Sequence, residues 1–292
     1  MRLLIEHHTS YRYRQPVEFD PHRLMLLPHE DHALSIVDFD LQCSPQAELS
    51  WLQDVFGNSV AIAHFAEPSD NLNIVSRLII ERPPADFDPI PLVPTARRLP
   101  VAYPPMEQPD LAPAQLPRHP EDQGKIQAWL QEFVATADGA TQATLDLINK
   151  AIRSRFDYRV RLKPGIQTPA ETLRKESGTC RDFALLMMEA ARSLGLAARF
   201  VSGYLHDPRH DPDLHGAGHT HAWAQIYLPG PGWIEYDPTN GIVSGDNLIR
   251  AAVARDPAQA IPVDGTFRGP KDATVAMDVS VTVEAVDDQA AL

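Results

Sequence analysis

Several features that would point to particular protein classes are scarce in this chain of 292 residues. Basic residues are few, since 26 lysines and arginines stand against 39 aspartates and glutamates, for a formal net charge of −13. That balance opposes binding to nucleic acid or to an anionic membrane surface. No stretch approaches the ~18 apolar residues of a membrane helix, and the first residues lack the apolar core of a secretory signal. We therefore predict a cytoplasmic protein that binds neither nucleic acid nor membrane.

Cysteine is equally scarce, because only Cys43 and Cys180 are present. Cys43 ends a run in which Val37, Phe39 and Leu41 alternate with polar residues, a pattern typical of the apolar face of a strand. We interpret Cys43 as structural, and a reducing compartment disfavours a disulfide between the two cysteines. The sequence shows neither an EF-hand loop nor any other sign of a cofactor.

What the chain does contain is a thiol at the start of a predicted helix. From Cys180 apolar residues recur at spacings of three and four as far as Leu194, Gly195 then ends the pattern, and Thr179 is a suitable N-cap. The positive end of a helix dipole favours a thiolate, and its backbone N–H groups could hold an oxyanion. A buried structural cysteine is the alternative. The local sequence alone leaves both interpretations open.

A predicted hairpin further along the chain favours a catalytic role for Cys180. Residues 219–228 alternate as a strand does, the Pro-Gly-Pro-Gly sequence at 229–232 breaks the pattern, and 233–237 resumes it. With a turn centred near residues 229–230, His221 and Asp237, sixteen residues apart, should lie nearly opposite each other on one face, within side-chain reach. An aspartate can fix the histidine tautomer, which leaves the other ring nitrogen free to take the proton of the thiol.

Four motifs together resemble the bacterial transglutaminase-like superfamily. They are Gly-Thr-Cys-Arg-Asp-Phe-Ala at 178–184, Val-Ser-Gly-Tyr-Leu at 201–205, Thr-His-Ala-Trp-Ala-Gln-Ile-Tyr-Leu-Pro at 220–229 and Gly-Trp-Ile-Glu-Tyr-Asp-Pro-Thr-Asn-Gly at 232–241. The resemblance implies a papain-like α+β core, acyl chemistry through a thioester, and a catalytic triad of Cys180, His221 and Asp237.

The resemblance leaves the reaction open, because such proteins include hydrolases and transferases. We expect a cysteine peptidase or amidase that acts on a peptide or protein substrate, since water is always present as an acceptor and no amine site can be identified. A transglutaminase with an amine acceptor is the first alternative. A non-catalytic protein-binding module that keeps the fold is the second.

The chain divides by composition into three parts. Residues 1–82 form a succession of short alternating runs, which predicts an antiparallel β-sandwich-like domain; His-Thr-Ser-Tyr-Arg-Tyr at 8–13 and Asp-Val-Phe-Gly-Asn at 54–58 resemble the N-terminal region that precedes this core in bacteria. Residues 83–120 include twelve prolines, so we predict a linker without regular helix, packed through residues such as Phe87 and Tyr103. Residues 121–292 should form the catalytic core.

Within the core, two apolar stripes predict helices, one from Ile126 to Phe133 and one from Leu145 to Phe156. Thr168 and Pro169 mark the start of a short helix before Cys180. An alternating run from Val275 to Val283 predicts a last strand that closes the core sheet. The tail after Val286 is expected to be frayed.

Three more residues are candidates for substrate binding: His219, Trp223 and Tyr158. Strand alternation places His219 and Trp223 on the His221 face, where Trp223 would cover the site; Tyr158 precedes the Cys180 helix, although a half-buried core tyrosine is the commoner case. Five histidines lie between His206 and His221, a pattern that also suits a metal. No HExxH is present and the segment is typical of a loop, so we predict no metal site there.

Overall fold

The structure is a computed structural model, and it describes residues 1–83, 90–161, 165–209, 211–245 and 247–286. Phe87, predicted to pack, and the tail after Val286, predicted to be frayed, lie outside these ranges. The predicted α+β class is confirmed. No helix among the described residues is long and apolar enough to cross a membrane.

The N-terminal region is an antiparallel β-sandwich. Its alternating residues form six strands. Buried side chains from both sheets meet between them, among them Tyr13 and Leu72 of one sheet and Leu24 and Ala63 of the other. The strands are β1 Arg2–Phe19, β2 His22–Leu24, β3 Ser35–Ser44, β4 Ala47–Gln53, β5 Ser59–Phe65 and β6 Ser69–Glu81.

The segment after β6 departs from the prediction, since it contains a short helix, α1 Gln108–Gln115. Pro109 is tolerated because it lies in the first turn, where the N–H group has no partner in the helix. Pro113 lies in the second turn of this short helix, and its missing N–H group removes only one backbone hydrogen bond. The segment packs as expected: Tyr103 is buried, its hydroxyl donates to the Tyr227 carbonyl at 3.0 Å, and it accepts from the Ala197 N–H at 2.7 Å.

The core places helices against an antiparallel sheet. Its central helix is α5, whose side chains are almost all buried and which packs on the strands β9 and β10. The sheet order is β12-β11-β10-β9-β13. The elements are α2 Gln123–Thr136, α3 Thr141–Arg155, β7 Asp157–Tyr158, α4 Pro169–Lys175, β8 Ser177–Gly178, α5 Cys180–Ser193, β9 Ala198–Leu205, β10 His221–Leu228, β11 Gly232–Asp237, β12 Ile242–Val243 and β13 Leu248–Ala254.

The last strand exists but does not close the core sheet, so that prediction is wrong. Up to residue 286, where the description ends, three strands follow the core: β14 Val263–Asp264, β15 Phe267–Arg268 and β16 Thr274–Val286. They return to the N-terminal sandwich, where β14 pairs with β2 while β15 and β16 pair with β1. An alternating run specifies a strand and its faces, but any exposed sheet edge can satisfy its backbone groups.

Candidate active site

The start of α5 is held by a dense set of hydrogen bonds. Thr179 and Asp182 form a capping box, in which the Asp182 N–H donates to Thr179 Oγ1 at 3.4 Å and the Thr179 N–H donates to Asp182 Oδ2 at 2.9 Å. Asp182 is completely buried and also accepts both terminal nitrogens of Arg161 at 3.0 Å and the Gln167 N–H at 2.7 Å. Cys180 is the first helical residue, and only 9 % of it is exposed.

The His221 ring joins this helix start to β11. Its Nε2 lies 2.9 Å from Asp237 Oδ2, and both side chains are fully buried. The β10–β11 register pairs Ala224 with Tyr236, so Asp237 stands diagonal to His221 instead of directly opposite. The hairpin contact that the spacing predicts is therefore present.

The second ring nitrogen of His221, Nδ1, is buried and has no close hydrogen-bond partner among the described side chains. Burial by itself lowers the pKa of His221. The charge and the hydrogen bond of Asp237 outweigh this effect, the Cys180 side chain adds to them, and together they raise the pKa to about 10. Because Nε2 is engaged by Asp237, Nδ1 is the atom left for Cys180.

Asp237 is itself fixed by the turn that follows β11. Its Oδ1 accepts the backbone N–H of Thr239 at 3.0 Å and that of Asn240 at 3.4 Å. Its Oδ2 accepts the Asn240 side-chain amide at 2.7 Å, in addition to the bond with His221. A carboxylate that accepts this many donors is held in one orientation, and so is the imidazole bonded to it.

The loop between β9 and β10 covers the His221 ring. Asn240 ties this loop to Asp237, because its Oδ1 accepts the His215 N–H at 2.7 Å and its Nδ2 donates to the His215 carbonyl at 2.9 Å. Gly216 then passes so close that a Cβ atom there would lie 2.3 Å from His221 Nδ1, and its φ is +101°. Only glycine suits this position.

Tyr158 lies beside the dyad and is also half-buried against the core, so both roles considered from the sequence stay open. The parallel pairing of β7 with β8 sets Tyr158 next to Gly178, two residues before Cys180. Its ring stacks on His215 with centroids 4.7 Å apart and planes at 8°. Burial, with the nearby Cys180 and Asp237, raises the pKa of the Tyr158 hydroxyl. The hydroxyl therefore stays protonated and can donate a hydrogen bond.

Two predicted substrate contacts look different in the structure. β10 begins at His221, so alternation does not extend back to His219, which is exposed and donates from Nδ1 to the Val279 carbonyl at 2.9 Å. Trp223 does share the His221 face, and the two rings are 5.8 Å apart. However, it is 0 % exposed and packs in an apolar cluster behind the histidine, so it does not line a surface that a substrate can reach.

The histidine-rich loop gathers no metal site among the described residues, which omit His210. His206 is buried and its N–H donates to the Asn247 carbonyl at 2.8 Å, while His215 stacks on Tyr158. Sequence reasoning missed His215, Gly216 and Asn240 as parts of the site. The Asp-Pro-Thr-Asn sequence at 237–240 was the one available signal, because short polar side chains after a strand favour turns that bond to their own backbone.

Comparisons with known proteins match both the N-terminal region and the core. The description "bacterial transglutaminase-like N-terminal region" matches residues 3–81, and "transglutaminase-like superfamily" matches residues 127–238. An uncharacterized protein of Mycobacterium tuberculosis is 30% identical across 97% of this chain and 92% of its own length. The chain belongs to the transglutaminase-like superfamily. An uncharacterized protein of Mycobacterium leprae is 36% identical to this superfamily member over 45% of the chain and 46% of its own length.

A solved structure shows the same fold for this transglutaminase-like protein. A candidate cysteine protease from Cytophaga hutchinsonii superposes with a TM-score of 0.71 and covers 98% of this chain and 92% of its own. The two sequences are 18% identical, so this likeness concerns the fold. It extends across both the sandwich and the core.

Proposed function

We propose that this protein is a thiol-dependent acyl-transfer enzyme, a peptidase or amidase, in which Cys180, His221 and Asp237 act as nucleophile, base and orienting group. The observation that carries the proposal is that the two ring nitrogens of His221 face different groups. Asp237 occupies Nε2 at 2.9 Å, and the buried Nδ1 is left beside a thiol at a helix start. An imidazole placed in this way can accept one proton and return it.

The reaction would run in two halves. Because its pKa is raised to about 10, His221 holds the proton of the Cys180 thiol on Nδ1 before the reaction, and Cys180 Sγ then attacks the carbonyl carbon of a peptide or carboxamide. The tetrahedral adduct then expels the amine, which carries that proton away from Nδ1, and a thioester remains on Cys180. Water attacks the thioester while Nδ1 accepts its proton, and collapse releases the acid and restores the thiol.

Donors for the oxyanion are present at the helix start. The backbone N–H groups of Cys180 and Arg181 donate to no described residue, as expected in the first turn of a helix. The Tyr158 hydroxyl lies near the same thiol and stays protonated. We propose that these N–H groups, with Tyr158 at the edge of the site, hold the negative charge of the tetrahedral adduct.

The proposed substrate is a peptide or protein, the proposed acceptor is water, and cytoplasmic residence stays a prediction of the sequence. The acceptor can be identified by incubating the protein with a peptide donor in heavy-oxygen water, with and without a small primary amine. Water as acceptor and amine as acceptor then give different products. We expect the label in a free carboxylic acid. If the amine conjugate dominates instead, the protein is a transferase and the hydrolase proposal fails.

The chain supplies its own reference thiol for a test of the nucleophile. Burial raises the pKa of Cys43 to about 11, so Cys43 should react slowly with iodoacetamide at neutral pH. Mass spectrometry of timed digests should show Cys180 labelled faster than Cys43, and His221→Ala should slow the Cys180 rate alone. Equal rates for the two cysteines in the wild-type protein would refute the activated thiol and favour a binding module.

A further inference from the structure

A cavity of about 590 Å³ lies away from Cys180, where the core sheet meets the loop before β3 of the sandwich. Residues of β10, β11 and β13 line one side of it, and residues 29–34 line the other. The triad and Tyr158 take no part in its walls. Another cavity, of about 620 Å³, lies beside Trp129. No triad residue lines it, and we assign it no role.

A carboxylate stands on the floor of the 590 Å³ cavity, which we call the sheet cavity. Arg199 Nε donates to Gln225 Oε1 at 2.7 Å, and Gln225 Nε2 donates to Glu235 Oε1 at 3.1 Å. Gln225 is 1 % exposed, so this chain of bonds is enclosed by the protein. Glu235 lines the cavity, and the Trp223 indole is its other polar neighbour on the protein side.

A cation stands on another wall of the sheet cavity. Arg250 belongs to β13, which is separated from β11 by β9 and β10 in the sheet. One terminal nitrogen of Arg250 donates to Asp31 Oδ2 at 2.8 Å. Within the described residues Arg250 and Glu235 form no salt bridge, although Arg250 is near enough to oppose the rise that burial causes in the Glu235 pKa. The two charges therefore face a shared space that is wider than an ion pair.

The wall between these charges is partly apolar and rigid. The guanidinium of Arg199 lies 4.1 Å from the centroid of the Trp233 ring, and this cation–π contact fixes the indole. Trp233 and Leu248 both line the cavity. A ligand that fills the space needs a donor for Glu235, an acceptor for Arg250, and a small apolar part against Trp233.

We propose that the sheet cavity binds a free α-amino acid, with its ammonium group on Glu235 and its carboxylate on Arg250. Both charged ends then receive a charge-assisted hydrogen bond, and guanidinium geometry suits a carboxylate. A ligand with one charge would cover the other group while leaving it only its bond to Gln225 or Asp31, and that loss of water costs binding free energy. This site is separate from the acyl chemistry proposed for Cys180 and does not depend on it.

Thermal unfolding of the full-length protein tests the proposal. Each common amino acid is added separately, because a ligand that binds only the folded state raises Tm. We expect at least one to raise Tm, and isothermal titration should then give one site per chain. The N-acetyl derivative of that amino acid and the amine that lacks its carboxylate should each lose the shift.

Substitutions locate the binding. Glu235→Gln keeps the size of the side chain and its contact with Gln225 but removes the charge, so the shift should disappear. Arg250→Met should do the same, and Glu48→Gln on the exposed face of β4 is the matched control. Labelling of Cys180 at the wild-type rate would show that each variant is folded. The proposal is wrong if no amino acid raises Tm, if the acetylated form is equally effective, or if Glu235→Gln retains the shift.

Discussion

The side chain of Asn240 connects two parts of the site that belong to different segments of the chain. Its Nδ2 donates to Asp237 at 2.7 Å and to the His215 carbonyl at 2.9 Å, while its Oδ1 accepts the His215 N–H. No other described side chain bonds to both Asp237 and the loop that covers His221. The orientation of the carboxylate and the position of the loop therefore depend on one amide.

We predict that Asn240→Ala slows iodoacetamide labelling of Cys180 and lowers the free energy of unfolding by about 1–3 kcal/mol, the cost of unsatisfied buried groups. Asn247→Ala is the matched control, because Asn247 bonds to the His206 carbonyl at 2.9 Å at the other end of the same loop. It should lose stability and keep the labelling rate. Equal labelling in both variants would contradict a positioning role for Asn240.

The raised pKa of His221 predicts a pH dependence of stability. Burial opposes the charged ring, but Asp237 and Cys180 raise the pKa from 6.5 to about 10 in the folded state. A folded pKa above the unfolded one adds stability that is fully present below pH 6.5 and is lost as pH rises through about 10. Denaturant titrations should show wild type losing stability relative to His221→Gln across this window. A constant difference between the two proteins would contradict the shift.

The cap of α5 links the geometry of one element to the reactivity of one thiol. Thr179→Ala should lower the free energy of unfolding by about 1 kcal/mol, as expected for loss of an N-cap. It should also slow Cys180 labelling, because a frayed first turn no longer directs its N–H groups at the sulfur. Thr168 caps α4 with the same kind of capping box. Thr168→Ala should therefore cost similar stability without changing the labelling rate.

The loop between β9 and β10 offers two glycines that differ in one respect. Gly216 and Gly218 both have positive φ, +101° and +82°, but a Cβ atom meets His221 at 2.3 Å only at Gly216. Gly218→Ala should cost only backbone strain. Gly216→Ala should displace the loop or the ring and reduce Cys180 labelling far more than Gly218→Ala. Similar rates in the two variants would show that the close approach has no functional effect.

At the scale of the whole molecule, β16 connects the sandwich to the site. It pairs along β1, and Val281 is 5 % exposed in a cluster that includes Leu3 of β1 and Tyr204 of the core. Its backbone also contacts the loop before His221: the Val281 N–H donates to the Gly218 carbonyl at 2.9 Å, and Val279 accepts from His219. The two regions are therefore coupled through the C-terminal strand.

We predict that Val281→Asp strongly destabilises the protein and slows Cys180 labelling, because it buries an unpaired charge at this junction. Val275 lies on the same strand but is 46 % exposed. Val275→Asp should change the free energy of unfolding by no more than about 0.5 kcal/mol, as is usual at the surface. Denaturant titration and labelling of both variants measure these effects. Equal effects would contradict the coupling.

The sequence by itself determined the helices, caps and turns that depend on residues close together in the chain. Apolar spacing predicted α2, α3 and α5, the residues Thr168 and Thr179 predicted two caps, and a Pro-Gly turn predicted the hairpin that brings His221 to Asp237. Each of these follows from a period or a cap that acts over a few residues. The residues that specify each of these features therefore all lie within the segment that forms it.

Only the tertiary structure decided which distant surfaces meet. It paired β16 with β1, turned His219 to Val279, buried Trp223, and brought His215, Gly216 and Asn240 around the dyad. A strand pattern does not specify its partner, and a loop residue acquires a role only from what packs against it. These contacts join segments far apart in the chain, so their energies depend on the folded arrangement and leave no period in the sequence.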